Sequence, residues 1–163
     1  ARTEGLNLDV TGVEYTRQGI TVDENMQTNV AGIYAIGDVN ARCMLAHAAT
    51  FQGYRALNHI VGEKDNIRLD IIPAAVFCQP EAAMVGKTED QCKQAGIEVK
   101  CHKSFFRANG KALSMGESDG LCKIIEDKAT GKILGCHMFG AHSADIIQEI
   151  AALMNHDTTV ANL

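Results

Sequence analysis

Apolar and polar positions change rhythm several times along the chain, and each rhythm predicts a different element. Between Ile20 and Asp38 the run ITVDENMQTNVAGIYAIGD predicts a short strand, a polar turn and a second strand. The stretch GIYAIG in that second strand is unbroken by polar residues, as in an interior strand buried on both faces. Residues 43–62, CMLAHAATFQGYRALNHIVG, then set Leu45, Ala48, Ala49, Leu57, Ile60 and Val61 on roughly one stripe at helical spacing, with Gly62 as the stop. A strand therefore feeds a helix through GDVNARCM, and the polar stretch GEKDNIRLD reads as a linker.

From Ile71 onward the pattern is that of an α+β unit. IIPAAVFC predicts a strand, and KTEDQCKQAG a short helix with Thr88 as N-cap, Gln91 completing a capping box and Gly96 ending it. IEVKCHKSFF predicts another strand, its adjacent aromatics Phe105 and Phe106 being open to a core or an interface role. LCKIIEDKATGKILGCHMFG predicts a hairpin, two β-type runs joined by a turn with Asp127, Thr130 and Gly131. SADIIQEIAALMNH predicts a helix with Ser143 as N-cap, Asp145 in its first turn, and Ile146, Ile147, Ile150, Ala151 and Met154 on a broad apolar side. DTTVANL has the look of a further helix start, with Asp157 or Thr158 as cap, so the sequence is expected to continue past Leu163.

Composition narrows the function classes. The chain has 163 residues, 46% hydrophobic, with 15 Lys+Arg against 20 Asp+Glu, enough for an ordinary core and without the clustered cations that nucleic acid requires. Apolar runs are interrupted well before a membrane span is reached, and the first residues lack a signal-peptide pattern, so the expected compartment is the cytoplasm. Cys43, Cys78, Cys92, Cys101, Cys122 and Cys136 lack the close pairing of zinc sites or redox disulfides and are read as reduced core thiols. Cys101-His102 and Cys136-His137, with His142, do not suit a metal, because neighbours on a strand point to opposite faces. Glu89-Asp90 and Glu126-Asp127 read as solvated helix-start and turn residues, and Glu81 as structural.

The chemistry centres on Gly37-Asp38. A strand ending in Gly lets the backbone approach a bulky ligand, and an Asp at the carboxyl edge of such a strand can accept hydrogen bonds from sugar-alcohol hydroxyls. The plain alternative is that Asp38 only caps the following helix. Here the wider pattern decides: TNVAGIYAIGDV followed by MLAHAA resembles the second flavin-binding motif of the FAD-dependent pyridine nucleotide-disulfide oxidoreductases. IPAAVFCQPEAAMVGKTEDQ resembles the opening of that family's dimerisation domain, and GLCKIIEDKATGKILGCHMFGAHSADIIQEIAAL its hairpin and first long helix. Within the family, MLAH resembles the branch that oxidises dihydrolipoyl groups more than the glutathione or mercuric reductases.

The resemblance implies an α+β chain, with a partial α/β FAD-binding segment over residues 1–69 and an antiparallel dimerisation domain over 70–163. It implies that Gly37 and Asp38 meet the ribityl chain of FAD, and that Met44, Leu45, Ala46 and His47 lie against the flavin with backbone amides toward its pyrimidine edge. His47 is expected to meet the flavin through its backbone, so that its imidazole need not be catalytic, and the alternative is a partly exposed helix-start residue. The family's two GxGxxG folds, its redox cysteine pair and its His-Pro-Thr base have no counterpart in these residues, and His156, followed by DTTV, does not match that base. No catalytic or metal residue is therefore assigned to this chain, and NAD is expected to bind outside it. The implied parent is a homodimer acting on a lipoyl-bearing protein, and the chain alone is expected to be inactive and to bind FAD weakly or not at all. A homodimerising or partner-binding module without chemistry, or a glutathione, mercuric or coenzyme A disulfide reductase, are the competing readings.

Overall fold

The computed structural model describes all residues from Ala1 to Leu163, which divide into two compact units, 1–69 and 70–163. The first unit is built from turns. Helix α1 (Leu8–Thr11) lies between left-handed Asn7 and Gly12. Tyr15 then pairs with Ile20 and Gln27 with Tyr34, each as a single antiparallel bridge. Asp23 ties the intervening turn, its Oδ1 accepting the N–H groups of Asn25 and Gln27, both at 2.9 Å. Val13, Ile20, Val22, Met26, Ala35 and Ala56 form the core of this unit.

The two strands expected between Ile20 and Asp38 are not laddered. A strand needs a neighbour along its length to satisfy its N–H and C=O groups. Here only one residue of each run finds such a pairing, and Ile36, expected to be interior, is 42% exposed. Helix α2 (Ala46–Val61) does form as expected and stops at Gly62, whose φ of +76° lets Glu63 N–H return to the Asn58 carbonyl at 2.8 Å. Its packed face differs from the expected stripe. Ala48, Gln52 and Ala56 are buried, four residues apart, whereas Leu57, Ile60 and Val61 are more than half exposed. Small side chains let the helix sit close to its unit, and that closeness brings Gln52 into hydrogen-bonding reach of backbone groups. Arg55 then fastens the chain beyond the helix, with Nε 2.9 Å from both carboxylate oxygens of Asp65.

The second unit is a five-stranded antiparallel sheet in the order β1-β2-β5-β4-β3. The strands are β1 (Ala74–Val76), β2 (Ala82–Gly86), β3 (Val99–Phe105), β4 (Leu121–Asp127) and β5 (Ile133–Phe139). The expected hairpin is β4–β5; Asp127 holds its turn by accepting from Ala129 N–H at 2.8 Å and the Thr130 hydroxyl at 2.9 Å. The short helix α3 (Glu89–Gln94) has the expected capping box between Thr88 and Gln91. A second short helix, α4 (Gly110–Ser114), is capped by Asn109. Strand β2 has no sequence signal beyond AAMVG, and the sheet needs it as the bridge between β1 and β5.

One face of the sheet is covered by α5 (Ser143–Asn155). Ile147, Ile150, Ala151 and Met154 pack against Ala83, Val85, Cys136 and Met138, while Ile146, expected on the same side, is 42% exposed. Gly135 makes room in β5: a Cβ there would lie 2.2 Å from the Lys87 carbonyl oxygen. The N-terminus of α5 corrects the sequence reading. Ser143 is the first helical residue, not the cap, and its hydroxyl donates to the Gly140 carbonyl. The first turn is instead satisfied by Glu81, whose carboxylate accepts Ala144 N–H at 2.9 Å. The closing segment forms a bridge from Thr159 to Lys132 and a 3-10 turn over Val160–Asn162, in place of a helix capped at Asp157 or Thr158.

Candidate cofactor-binding segment

The residues singled out at Gly37–Asp38 and Met44–His47 fall in two consecutive elements of the first unit. After extended Ile36, Gly37 turns with φ +70°, and the chain closes a 3-10 turn over Gly37–Asn40, with Ala41 N–H returning to the Asp38 carbonyl at 3.1 Å. Glycine is required at its head, because a Cβ would stand 3.1 Å from that of Ala49 on α2 in a backbone conformation that L residues rarely adopt. Asp38 is exposed at the tip of this turn, and its carboxylate accepts no hydrogen bond from the chain. It is not the cap of α2: Leu45 holds that position in an extended conformation, and no side chain caps the helix. Met44, Ala46 and His47 are exposed around this uncapped end, and Leu45 is half-buried. The segment thus offers an anionic acceptor on one element and helix-initial N–H groups with their partial positive charge on the next.

Two residues that the sequence reading did not single out join these elements. Gln52 and Asn40 are 2% and 7% exposed. Gln52 Oε1 accepts Gly37 N–H at 2.7 Å and Asn40 Nδ2 at 2.9 Å; Asn40 Nδ2 also donates to the Ala35 carbonyl at 3.0 Å, and its Oδ1 accepts Arg42 N–H at 3.0 Å. The only visible signal was a glutamine placed on the small-residue face of a helix, among Ala48 and Ala56. Burial pushes the Cys43 thiol up from its ordinary value, and the nearby Asp38 charge adds to the shift.

In the second unit the titratable candidates scatter. Cys101 faces Glu89, whereas His102 Nε2 lies 2.5 Å from Glu126 on the opposite side of β3, which separates the neighbouring pair as alternation requires. Cys136 lies with its sulfur 3.8 Å from that of Cys122, and His137 projects the other way, both ring nitrogens buried without a partner. Cys92 and Cys136 are buried thiols as expected; Cys78 is exposed. Glu89 is engaged by Lys123 Nζ at 2.7 Å and is not merely solvated. His142 lies 3.5 Å from Asp145, and His156 ends α5. Phe106 packs on the core, whereas Phe105 stays 43% exposed with the Arg107 guanidinium over its ring.

Residues 72–163 match the pyridine nucleotide-disulphide oxidoreductase dimerisation domain, and residues 1–53 match the pyridine nucleotide-disulphide oxidoreductase family. The chain is 42% identical over 158 residues to a mitochondrial dihydrolipoyl dehydrogenase of Pisum sativum, spanning 96% of the chain and 32% of that protein. It is equally identical, over 96% of the chain and 30% of the relative, to a leghemoglobin reductase of Glycine max. Among solved structures, LpdA of Mycobacterium tuberculosis superposes with a TM-score of 0.87 at 31% identity, covering 98% of this chain and 35% of the other. The chain thus spans about a third of the length of the relatives it matches.

Proposed function

The chain belongs to the pyridine nucleotide-disulphide oxidoreductase family, and on that premise we propose that it supplies one edge of the flavin site and the subunit-pairing portion of a dihydrolipoyl dehydrogenase-like reductase. Residues 1–69 are assigned to the FAD-binding portion and 70–163 to the dimerisation portion. The parent reaction on this reading takes two electrons from a dihydrolipoyl dithiol on a carrier protein, through a cysteine pair and FAD, to NAD+. Two copies pair through residues 72–163, in the cytoplasm.

The observation that carries the reading is the exposed, unbonded carboxylate of Asp38, next in sequence to a glycine with φ +70° where a Cβ would crowd Ala49, and in the same unit as the uncapped start of α2. FAD, when bound, supplies the two-electron carrier between thiol and nicotinamide chemistry. This chain's part is to bind and orient it. Gly37 leaves space for close approach, Asp38 accepts from polyol hydroxyls, and the peptide N–H groups around Leu45–His47 favour electron-rich ring atoms. No proton-transfer role falls to His47 or His156.

The test uses the whole protein that carries this chain, purified from its own cells. A mass far above 17.5 kDa, one FAD per subunit and NADH formation with dihydrolipoamide are expected. Asp38→Ala in that protein is expected to raise the FAD dissociation constant by about 10- to 100-fold, the usual effect of losing hydrogen bonds to a charged acceptor. A colourless protein, or one whose FAD affinity ignores Asp38, defeats the reading.

A further inference from the structure

The amide network behind Gly37 does more than satisfy buried groups. A peptide N–H can only donate, so the atom of Gln52 facing Gly37 is its oxygen. A carbonyl can only accept, so the atom of Asn40 facing Ala35 is its nitrogen. The second hydrogen of that nitrogen then goes to Gln52, and the Asn40 oxygen to Arg42 N–H. Both amides have one consistent orientation, and no flipped alternative satisfies all partners. Gln52 therefore holds the first residue of the 3-10 turn directly and the last through Asn40, while standing on α2 itself.

We propose that Gln52 is a positioning residue for the flavin: its side-chain oxygen fixes the Gly37–Asn40 turn onto α2, and so sets the spacing between the Asp38 carboxylate and the start of that helix. The inference rests on the flavin-site reading above. Gln52 touches no ligand. It acts through the buried Gly37 N–H and the second hydrogen of the Asn40 amide, both of which would otherwise lack an acceptor, which is why a polar residue occupies the small-residue face of the helix.

Two variants of the whole protein separate positioning from mere packing. Gln52→Met keeps length and apolar contact but removes the acceptor; Gln52→Glu keeps an acceptor oxygen where both donors already point. In flavin-free protein, Gln52→Met is expected to speed hydrogen exchange at Gly37 N–H by about tenfold or more, and in titrations with FAD to raise the dissociation constant by a similar factor. Gln52→Glu should stay within about threefold of the native protein in both measurements. Should Gln52→Met fail to fold, Asn40→Ser, which loses the link from the end of the turn to Gln52 along with the Asn40 bonds to Ala35 and Arg42 but keeps the Gly37 tether, is expected to raise both quantities by about threefold. Native-like Gly37 protection and FAD affinity in Gln52→Met, or in Asn40→Ser where that variant is used, overturn the inference while leaving the flavin site standing. Equal losses in Gln52→Met and Gln52→Glu overturn it as well. A native protein that binds no FAD overturns the flavin-site reading itself, while the exchange measurement still reports on the tether.

Discussion

The two units solve the same problem by different means. Residues 70–163 satisfy their backbone with a continuous five-stranded ladder, and one helix lays an aliphatic row over it. Residues 1–69 have only isolated bridges, and much of their order comes from single side chains: Asp23 in a turn, Arg55 across a loop, Gln52 and Asn40 behind Gly37. A laddered region spreads its stability over many equivalent bonds, so loss of one is felt through packing. A turn-built region places each bond at a unique point, so loss of one displaces a particular loop. The candidate flavin edge lies in the second kind of region, where positions can be set individually.

Substitutions chosen in pairs can break this comparison. The largest loss is expected in the ladder. Gly135→Ala pushes a Cβ into the Lys87 carbonyl between two strands, and urea titration is expected to show a stability loss of about 4 kcal/mol or failure to fold. Ile147→Ala, at a position 1% exposed under the helix, is expected to lower stability by about 3 kcal/mol in the same titration. Glu81→Gln weakens the charge-assisted cap on Ala144 N–H and is expected to take away about 1 kcal/mol, with raised hydrogen exchange confined to the first turn of α5.

A pH test sharpens the same contrast. Burial, and secondarily the charge of Lys123, hold His137 below its ordinary value, with Glu89 opposing weakly. The folded form therefore prefers the neutral ring. Its contribution is fully present above the unfolded value of about 6.5 and is lost as pH falls through the lower folded value. His137→Leu also removes two buried nitrogens that lack partners. Its urea midpoint is expected to exceed the native one already near about pH 7.5, because unpaired nitrogens are removed, and by a wider margin near about pH 5.5; an equal margin at both would show that the ring is protonated freely in the fold. The smallest effect is expected on the outer side of α2. Ile60→Ala, at a position 59% exposed, is expected to change stability by less than about 0.5 kcal/mol. A loss as large as that of Ile147→Ala would mean that this face is covered in solution.

The sequence by itself determined the elements whose stabilising contacts are near neighbours along the chain. The α3 capping box needs only Thr88 and Gln91, the α2 stop needs only Gly62 and the turn before it, and the β4–β5 turn needs Asp127, Thr130 and Gly131. The motif GIYAIGDV likewise pointed to a turn at Gly37, whose φ of +70° suits a residue without a Cβ. Contacts made across large sequence distances were decided only by the tertiary structure. Glu81 caps a helix 63 residues away, β2 earns its place only between β1 and β5, and Ile36 stays half-open although its run reads as interior. Gln52 belongs to the same class. Nothing local distinguishes a buried glutamine from a solvated one on a helix, and only the fold of Gly37 and Asn40 against α2 gives its oxygen two donors and a purpose.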